Sequence, residues 1–401
     1  MKILHTSDWH LGKTLNNITR YEEQQEFIDE IAEIAKDENV DIILISGDIY
    51  DTSNPSAMAE NMFFNSAVRL AQNGKTPVMV IAGNHDSPDR LLAGADILKP
   101  YGVFISGRPF DFNINEKYNG YEILAENGTA VINKNGETAV IALLPYVTDR
   151  RIDEIIGKSD SEEENAESYS DKIAELLSKL SERFKNDTIN IVMAHLYTLG
   201  GKESGSERSI QLGGSYSVKA NAFPQKAQYI ALGHLHRPQT VSGTDKRAYY
   251  SGSPLPYSKE EAVYSKAVNI VEIHAGEKAK IKSIPISSSK PIEIWKVNSV
   301  AEAIDKCREN SGRSCYVYIE IKTDRVISLE EIHEMKLLKK DIMDIVPIME
   351  NDNDLVNVEE REELLLKDSF VDFYKKLKGA EPNEEITELF LSVFGEDGEV
   401  K

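Results

Sequence analysis

Two short patterns in the sequence place side chains for shared chemistry: Asp8-x-His10 and His234-x-His236. Alternate residues of an extended segment point the same way, so each pair can reach one pocket together. Asp48 follows the apolar run Ile42-Ile43-Leu44-Ile45 and the small pair Ser46-Gly47. Asn84 and His85 follow Ala82-Gly83, and His195 follows Ile189 to Ala194. Oxygen and imidazole groups of this kind suit a first-row divalent cation. A single histidine at the end of a strand is usually a hydrogen-bonded core residue. Here five of the chain's eight histidines stand at the same edge of one expected sheet, and a core role does not explain that.

The elements that must hold these residues are legible in the apolar pattern. Ile42 to Ile45 is a run buried on both faces, as in a parallel sheet. Gly47 lets the chain turn sharply, leaving Asp48 at the carboxyl end of the strand, where open α/β sheets collect ligands. Ile3 to Thr6, Pro77 to Ile81, Ile189 to Ala194 and Tyr229 to Leu232 are the other four expected strands. Helices are expected over Arg20 to Lys36, Ser56 to Gln72 and Glu162 to Phe184. The second of these is read as carrying Met58, Met62, Phe63 and Phe64 outward, more apolar surface than one sheet-facing stripe requires. Short strands with Gly/Asn turns fill Val103 to Leu143, and Ala267 to Ile273 and Ile281 to Ile286 close the domain. Alternating strands and helices make this an α/β unit.

A chain of 401 residues exceeds one ordinary domain. The expected boundaries give residues 1-286, then a small α+β domain at 287-350 after the linker Ser287 to Pro291, then 351-401. The last part is an acidic spacer with two short helices, Asp368 to Leu377 and Asn383 to Phe394. Their Phe370, Phe373, Tyr374, Leu389, Phe390 and Phe394 form apolar faces that either pack on the preceding domain or dock on a partner, the partner being the favoured reading. The net charge of -21 argues against non-specific nucleic-acid binding by the chain alone. Bound cations or a basic partner can still supply local positive charge. With two cysteines no disulfide framework is expected. The first residues turn polar too soon for a signal peptide, and no run approaches a membrane span. The expected compartment is the cytoplasm, with no membrane partner.

Asp8-x-His10, Gly47-Asp48-x-x-Asp51, Gly83-Asn84-His85-Asp86, His195 and Gly233-His234-x-His236 occur in an order that resembles the calcineurin-like metallophosphoesterase superfamily. The likeness spans about Lys2 to Pro238. It implies a β-sandwich flanked by helices and two divalent metal ions, manganese (Mn2+) by the same likeness. Asp8, His10 and His236 would hold one ion, Asn84, His195 and His234 the other, and Asp48 would bridge them. His85 would face the scissile phosphate as a catalytic group rather than a ligand. Ser7 to Gly12, Ser46 to Asp51, Gly233 to Pro238 and Ser251 to Pro254 narrow the resemblance to the superfamily's DNA-repair nucleases. That implies in-line attack by a metal-bound hydroxide on DNA, as an exonuclease on duplex ends and an endonuclease on single strands or hairpins. It also implies repair and recombination as the setting, a small capping domain, and an ABC-type ATPase partner docked on the terminal helices. A homodimer is expected through residues 56-72 and 91-98, broken by charges at Met62 and Phe63. A small-molecule phosphatase or cyclic phosphodiesterase is the second reading, and a non-catalytic scaffold for the ATPase the third. Asp51 and Asp86 are read as fixing loops, and His5 as a core residue. Arg90 and Arg237 are read as phosphate contacts or salt bridges.

Overall fold

The computed structural model describes residues 1–156, 169–207 and 216–349, with isolated positions beyond. Most of the expected tail helices Asp368 to Leu377 and Asn383 to Phe394 lies outside the described residues. Two compact units result. One comprises Met1–Trp295, Gly312–Tyr318 and Asp341–Asp344, the other Lys296–Ser311, Ile319–Lys340 and Ile345–Lys401.

The first unit is built on two sheets. In the six-stranded sheet, Lys2–Thr6, Ile42–Ile45, Val78–Ile81 and Val103–Ser106 run parallel, side by side. Ala267–Glu272 and Lys280–Pro285 extend it antiparallel beyond Lys2–Thr6. In the eight-stranded sheet, Glu137–Leu144, Ile189–His195, Tyr229–Gly233 and Ala248–Tyr250 form the parallel centre. An antiparallel meander, Ile114–Tyr118, Tyr121–Glu126 and Thr129–Lys134, completes it on one side. The turn at Asn135-Gly136 has both residues at positive φ, 52° and 78°, as a tight hairpin requires.

Strand alternation assigns the layers. Ile3, Ile42, Leu44, Met79 and Ile81 of one sheet meet Ile141, Leu143, Ile191, Met193 and Tyr229 of the other in a single core. The intervening residues Leu4, Ile43, Ile45, Val78 and Val80 pack under helices Tyr21–Asp37 and Ala57–Leu70. On the far side Val140, Ala142, Val192, Ile230 and Leu232 pack under helix Tyr169–Leu180. Strands buried on both faces read as unbroken apolar runs for this reason. The first unit is the expected helix-flanked β-sandwich.

Helix Ala57–Leu70 departs from its sequence reading. Phe63 is fully buried and Met62 nearly so, both in the core beneath the helix rather than outward; Phe64 is partly buried against it. Only Met58 stands in solvent, 57% exposed. The apolar surplus arises because this helix covers both the sheet and its neighbour Tyr21–Asp37, not because it offers a free face. A charge at Phe63 would therefore break the core, where truncating a phenylalanine already costs roughly 3–5 kcal/mol, and would say nothing about an interface. Helix Tyr169–Leu180 occupies the centre of the expected Glu162 to Phe184 span, of which residues 162–168 lie outside the described residues. A helix at Asp149–Ile156 was not legible, since its eight residues are too few for a periodic signal.

In the second unit, helices Val300–Glu309 and Leu329–Leu338 pack together, burying Ala303, Cys307 and Met335. Serines 299 and 328 cap their amino ends, the latter in a full capping box with Glu331. A three-stranded sheet, Ile292–Val297, Tyr316–Thr323 and Ile342–Met349 in that order, has residues assigned to each unit.

Candidate metal centre

The five strands singled out by their polar ends all deliver those ends to one place. Asp8 and His10 follow Lys2–Thr6, Asp48 follows Ile42–Ile45, and Asn84 and His85 follow Val78–Ile81. His195 ends its own strand, and His234 and His236 follow Tyr229–Gly233. The two sheets contribute from facing carboxyl edges, so the site lies at the mouth of the sandwich.

The backbone there is held in costly conformations. Asp8, His10, Asp48 and His234 have φ of 54°, 46°, 50° and 109°. Residues outside the favoured regions cost about 1–3 kcal/mol each and persist where their surroundings over-determine them. Here Asp8 N donates to Gly47 O and His10 N to Asp48 O, both at 3.0 Å. His234 N donates to the Asp8 carboxylate at 2.9 Å. Gly83 is required for a related reason: a Cβ there would overlap both the amide and the carboxylate of Asp48.

Three sets of side chains bring donor atoms within 4.8 Å of one another: Asp8 with His10 and His236, Asp48 with His195 and His234, and His10 with Asp51 and His85. Asn84 joins the second set, its Oδ1 lying 2.9 Å from His195 Nε2 and 3.2 Å from His234 Nδ1. Asp48 stands between the first two, Oδ2 being 3.7 Å from His10 Nε2 and 3.5 Å from His195 Nε2.

These atoms fit cations. His195 Nδ1 donates to the Ser46 carbonyl at 2.9 Å, so a neutral His195 presents the lone pair of Nε2 to Asn84 Oδ1. Two acceptors at 2.9 Å need a proton or a cation between them. His10 Nε2 and His236 Nε2 converge to 2.9 Å in the same way, while His10 Nδ1 is buried with no hydrogen-bond partner. Burial would raise Asp48, but His195, His10 and His85 hold its carboxyl well below the usual carboxylate range. Burial would lower His195, yet Asp48 beside it lifts the imidazole to about 9. A cation bound to His195 would have to displace that proton.

The neighbouring residues hold loops. Burial pushes Asp86 up to about 7, with the charge of Asp48 adding to the shift. Its carboxylate accepts from the amides of Ile49, Tyr50 and Gly83 at 2.8–3.1 Å, tying the Asp48 loop to the Asn84 loop. His85 N donates to Asp48 Oδ1 at 2.8 Å, and His85 Nδ1 donates to the Asp51 carbonyl at 2.7 Å. Lys13 donates to the Asp51 carboxylate at 2.9 Å. His5 lies in the core against Tyr229 at 2.8 Å, and burial lowers its pKa to about 3. Arg90 pairs with Glu60 at 3.1 Å, whereas Arg237, exposed beside His236, stacks over the Tyr264 ring at 5.5 Å. Sequence reading missed Ser206, Glu207, Glu261 and Lys266, which surround His236. No spacing rule links them to it, because they come from a loop and a short turn far apart in the chain.

Residues 1–238 match the family model described as calcineurin-like phosphoesterase. The chain is 38% identical over 395 residues to the SbcD subunit of nuclease SbcCD from Bacillus subtilis, covering 98% of this chain and 97% of that protein. It is 33% identical over 298 residues to the SbcD subunit of nuclease SbcCD from Rhodobacter capsulatus, covering 73% and 71% respectively.

Proposed function

The chain belongs to the calcineurin-like phosphoesterase family, and within it to the family of SbcD nuclease subunits, and from that premise we propose that the cluster around Asp48 is a dinuclear metal centre that hydrolyses the phosphodiester bonds of DNA. The family implies divalent metals, and the observation carrying the proposal is that two donor sets meet at one buried carboxylate. We assign Asp8, His10 and His236 to one position and Asn84, His195 and His234 to the other, with Asp48 shared and manganese as the ion. When bound, two divalent cations would lower the pKa of water in the cleft and offset the charge of the phosphate.

The chain's own part is positioning and proton transfer. Asp48 brings a full negative charge and two oxygens to the centre of the site. His85 is bound through Nδ1–H to a carbonyl that can only accept, so the proton it can give away is on Nε2. In the imidazolium form that proton goes to the leaving oxygen. The link from His85 N to Asp48 Oδ1 keeps this acid in register with the centre. No protein nucleophile is needed.

The remaining assignments follow the same reading. Residues 1-286 are the nuclease domain, 287-350 the capping domain, and 351-401 the segment that docks an SbcC-type ABC ATPase. The setting is cytoplasmic DNA repair; no helix among the described residues is long and apolar enough to cross a membrane. The homodimer is assigned to 56-72 and 91-98, where Met58 and Ile97, 57% and 70% exposed, are the large apolar side chains open to solvent. Met58→Glu with Ile97→Glu is expected to halve the sedimenting mass without unfolding the chain; an unchanged dimer would reject this interface.

Substrate class is tested by comparing end-labelled duplex and hairpin DNA with nitrophenyl phosphate in manganese, with and without the ATPase. Cleavage of both DNAs is expected, steeply stimulated by the ATPase for the full chain and not for a chain ending at residue 350. Turnover of the small phosphate alone, even with the ATPase present, would leave the metal centre standing and overturn the DNA assignment.

A further inference from the structure

A buried carboxylate that none of these steps uses stands behind His236. Glu261, in the short turn Glu260–Val263, is fully buried, and its partner Lys266 is 5% exposed. Lys266 Nζ donates to one oxygen of Glu261, to Ser253 Oγ at 2.8 Å and to the His236 carbonyl at 3.0 Å. The other oxygen, Oε1, faces His236 Nδ1 at 3.3 Å. Ser206 Oγ lies 2.5 Å from that nitrogen and donates its own proton to Oε1. His236 N donates to Glu207 Oε1 at 3.0 Å, fixing the backbone of the same residue. His236 Nδ1–H is thus relayed to a carboxylate, with Nε2 left free toward His10.

The other histidines of the cluster are supported differently. His195 and His85 donate Nδ1–H to neutral carbonyls, His234 Nδ1 faces Asn84 Oδ1 at 3.2 Å, and His10 Nδ1, 3.6 Å from Asp51 Oδ1, makes no hydrogen bond and has no relay behind it. Burying an ion pair costs several kcal/mol per ion before the attraction repays it, and apolar residues of equal volume often serve a fold as well. An apolar pair could not fix the histidine tautomer or raise the electron density at Nε2. Carboxylate partners of ligating histidines do both.

We propose that Glu261, backed by Lys266 and relayed through Ser206, is a positioning residue that strengthens His236 as a ligand and so sets the affinity of the Asp8–His10–His236 position. This rests on the dinuclear reading above. The test is titration of metal-free full-length protein with Mn2+, followed by calorimetry and by the spin-coupled resonance signal of a manganese pair. Wild type is expected to bind two ions. Glu261→Gln is expected to weaken one of the two by roughly 10–100-fold and to delay the coupled signal accordingly, leaving the other unchanged. The charge-free pair Glu261→Gln with Lys266→Met, which keeps the volume, is expected to show the same defect. If that pair restores wild-type binding, the network serves packing and the proposal falls. A folded Glu261→Gln with an unchanged isotherm overturns it equally. Ser206→Ala, which leaves the ion pair in place, gives the same readout should neither variant fold, and two undisturbed affinities there would also count against it. A wild type that binds fewer than two ions would instead defeat the dinuclear reading itself.

Discussion

Asp48→Ala is expected to abolish DNA cleavage and to leave the chain without a bound cation pair. Asp48 Oδ2 lies 3.7 Å from His10 Nε2 and 3.5 Å from His195 Nε2, one nitrogen from each donor set. Without it, His10 and His236 on one side and His195 and His234 on the other lose the carboxylate that stands between them. Two bound cations would lower the pKa of water in the cleft well below its free ~15.7, so a variant that cannot hold them is expected to lose ~10⁴-fold or more. Asp48→Asn separates charge from shape, since its side-chain oxygen can still accept from His85 N. We expect weak, non-coupled manganese binding and activity near that of the alanine variant. The checks are metal content after gel filtration and initial cleavage rates. Cleavage within tenfold of wild type by either variant would exclude Asp48 as the shared ligand.

His85→Ala is expected to cost about 10²–10⁴-fold in kcat on DNA, the range for general-acid catalysis, with the manganese isotherm unchanged. The residue is half-buried, and its hydrogen bond to Asp48 comes from the backbone amide, which alanine retains. The role also predicts a dependence on the leaving group. An alkoxide leaving from DNA needs a proton, whereas a nitrophenolate leaves without one. The variant should therefore lose much less on bis-nitrophenyl phosphate than on DNA. Equal losses on both would assign His85 to phosphate positioning instead, and weakened metal binding would make it a ligand. The latter is a real alternative geometrically, since His85 lies with His10 and Asp51 in the third donor set.

The sandwich and the ends of its five strands were legible because both faces of each strand are buried. Ile42 to Ile45 and Val78 to Ile81 are then uninterrupted apolar runs that stop at glycine and a polar residue. The pairs Asp8/His10 and His234/His236 were legible because a local period brings them together. Met62 and Phe63 were misjudged because helical spacing shows how much apolar surface a helix has, not how many neighbours share it. Two neighbours bury what one sheet could not. Glu261, Lys266 and Ser206 were invisible for the opposite reason. Their contact with His236 depends on a turn and a loop whose path has no periodic signature, and a glutamate near a lysine reads as an ordinary surface pair. Asp86 shows the intermediate case: its place in the motif was evident, but its three backbone partners emerge only when two loops are seen side by side.

Where manganese binds decides the central assignment most directly. Crystals equilibrated with Mn2+ and measured at the manganese absorption edge would locate the ions without reference to activity. Two anomalous peaks about 3.5–4 Å apart on either side of the Asp48 carboxylate are predicted. One should be ligated by Asp8, His10 and His236, the other by Asn84, His195 and His234. A single peak, or one seated between His10, Asp51 and His85, would contradict the dinuclear assignment and the chemistry derived from it.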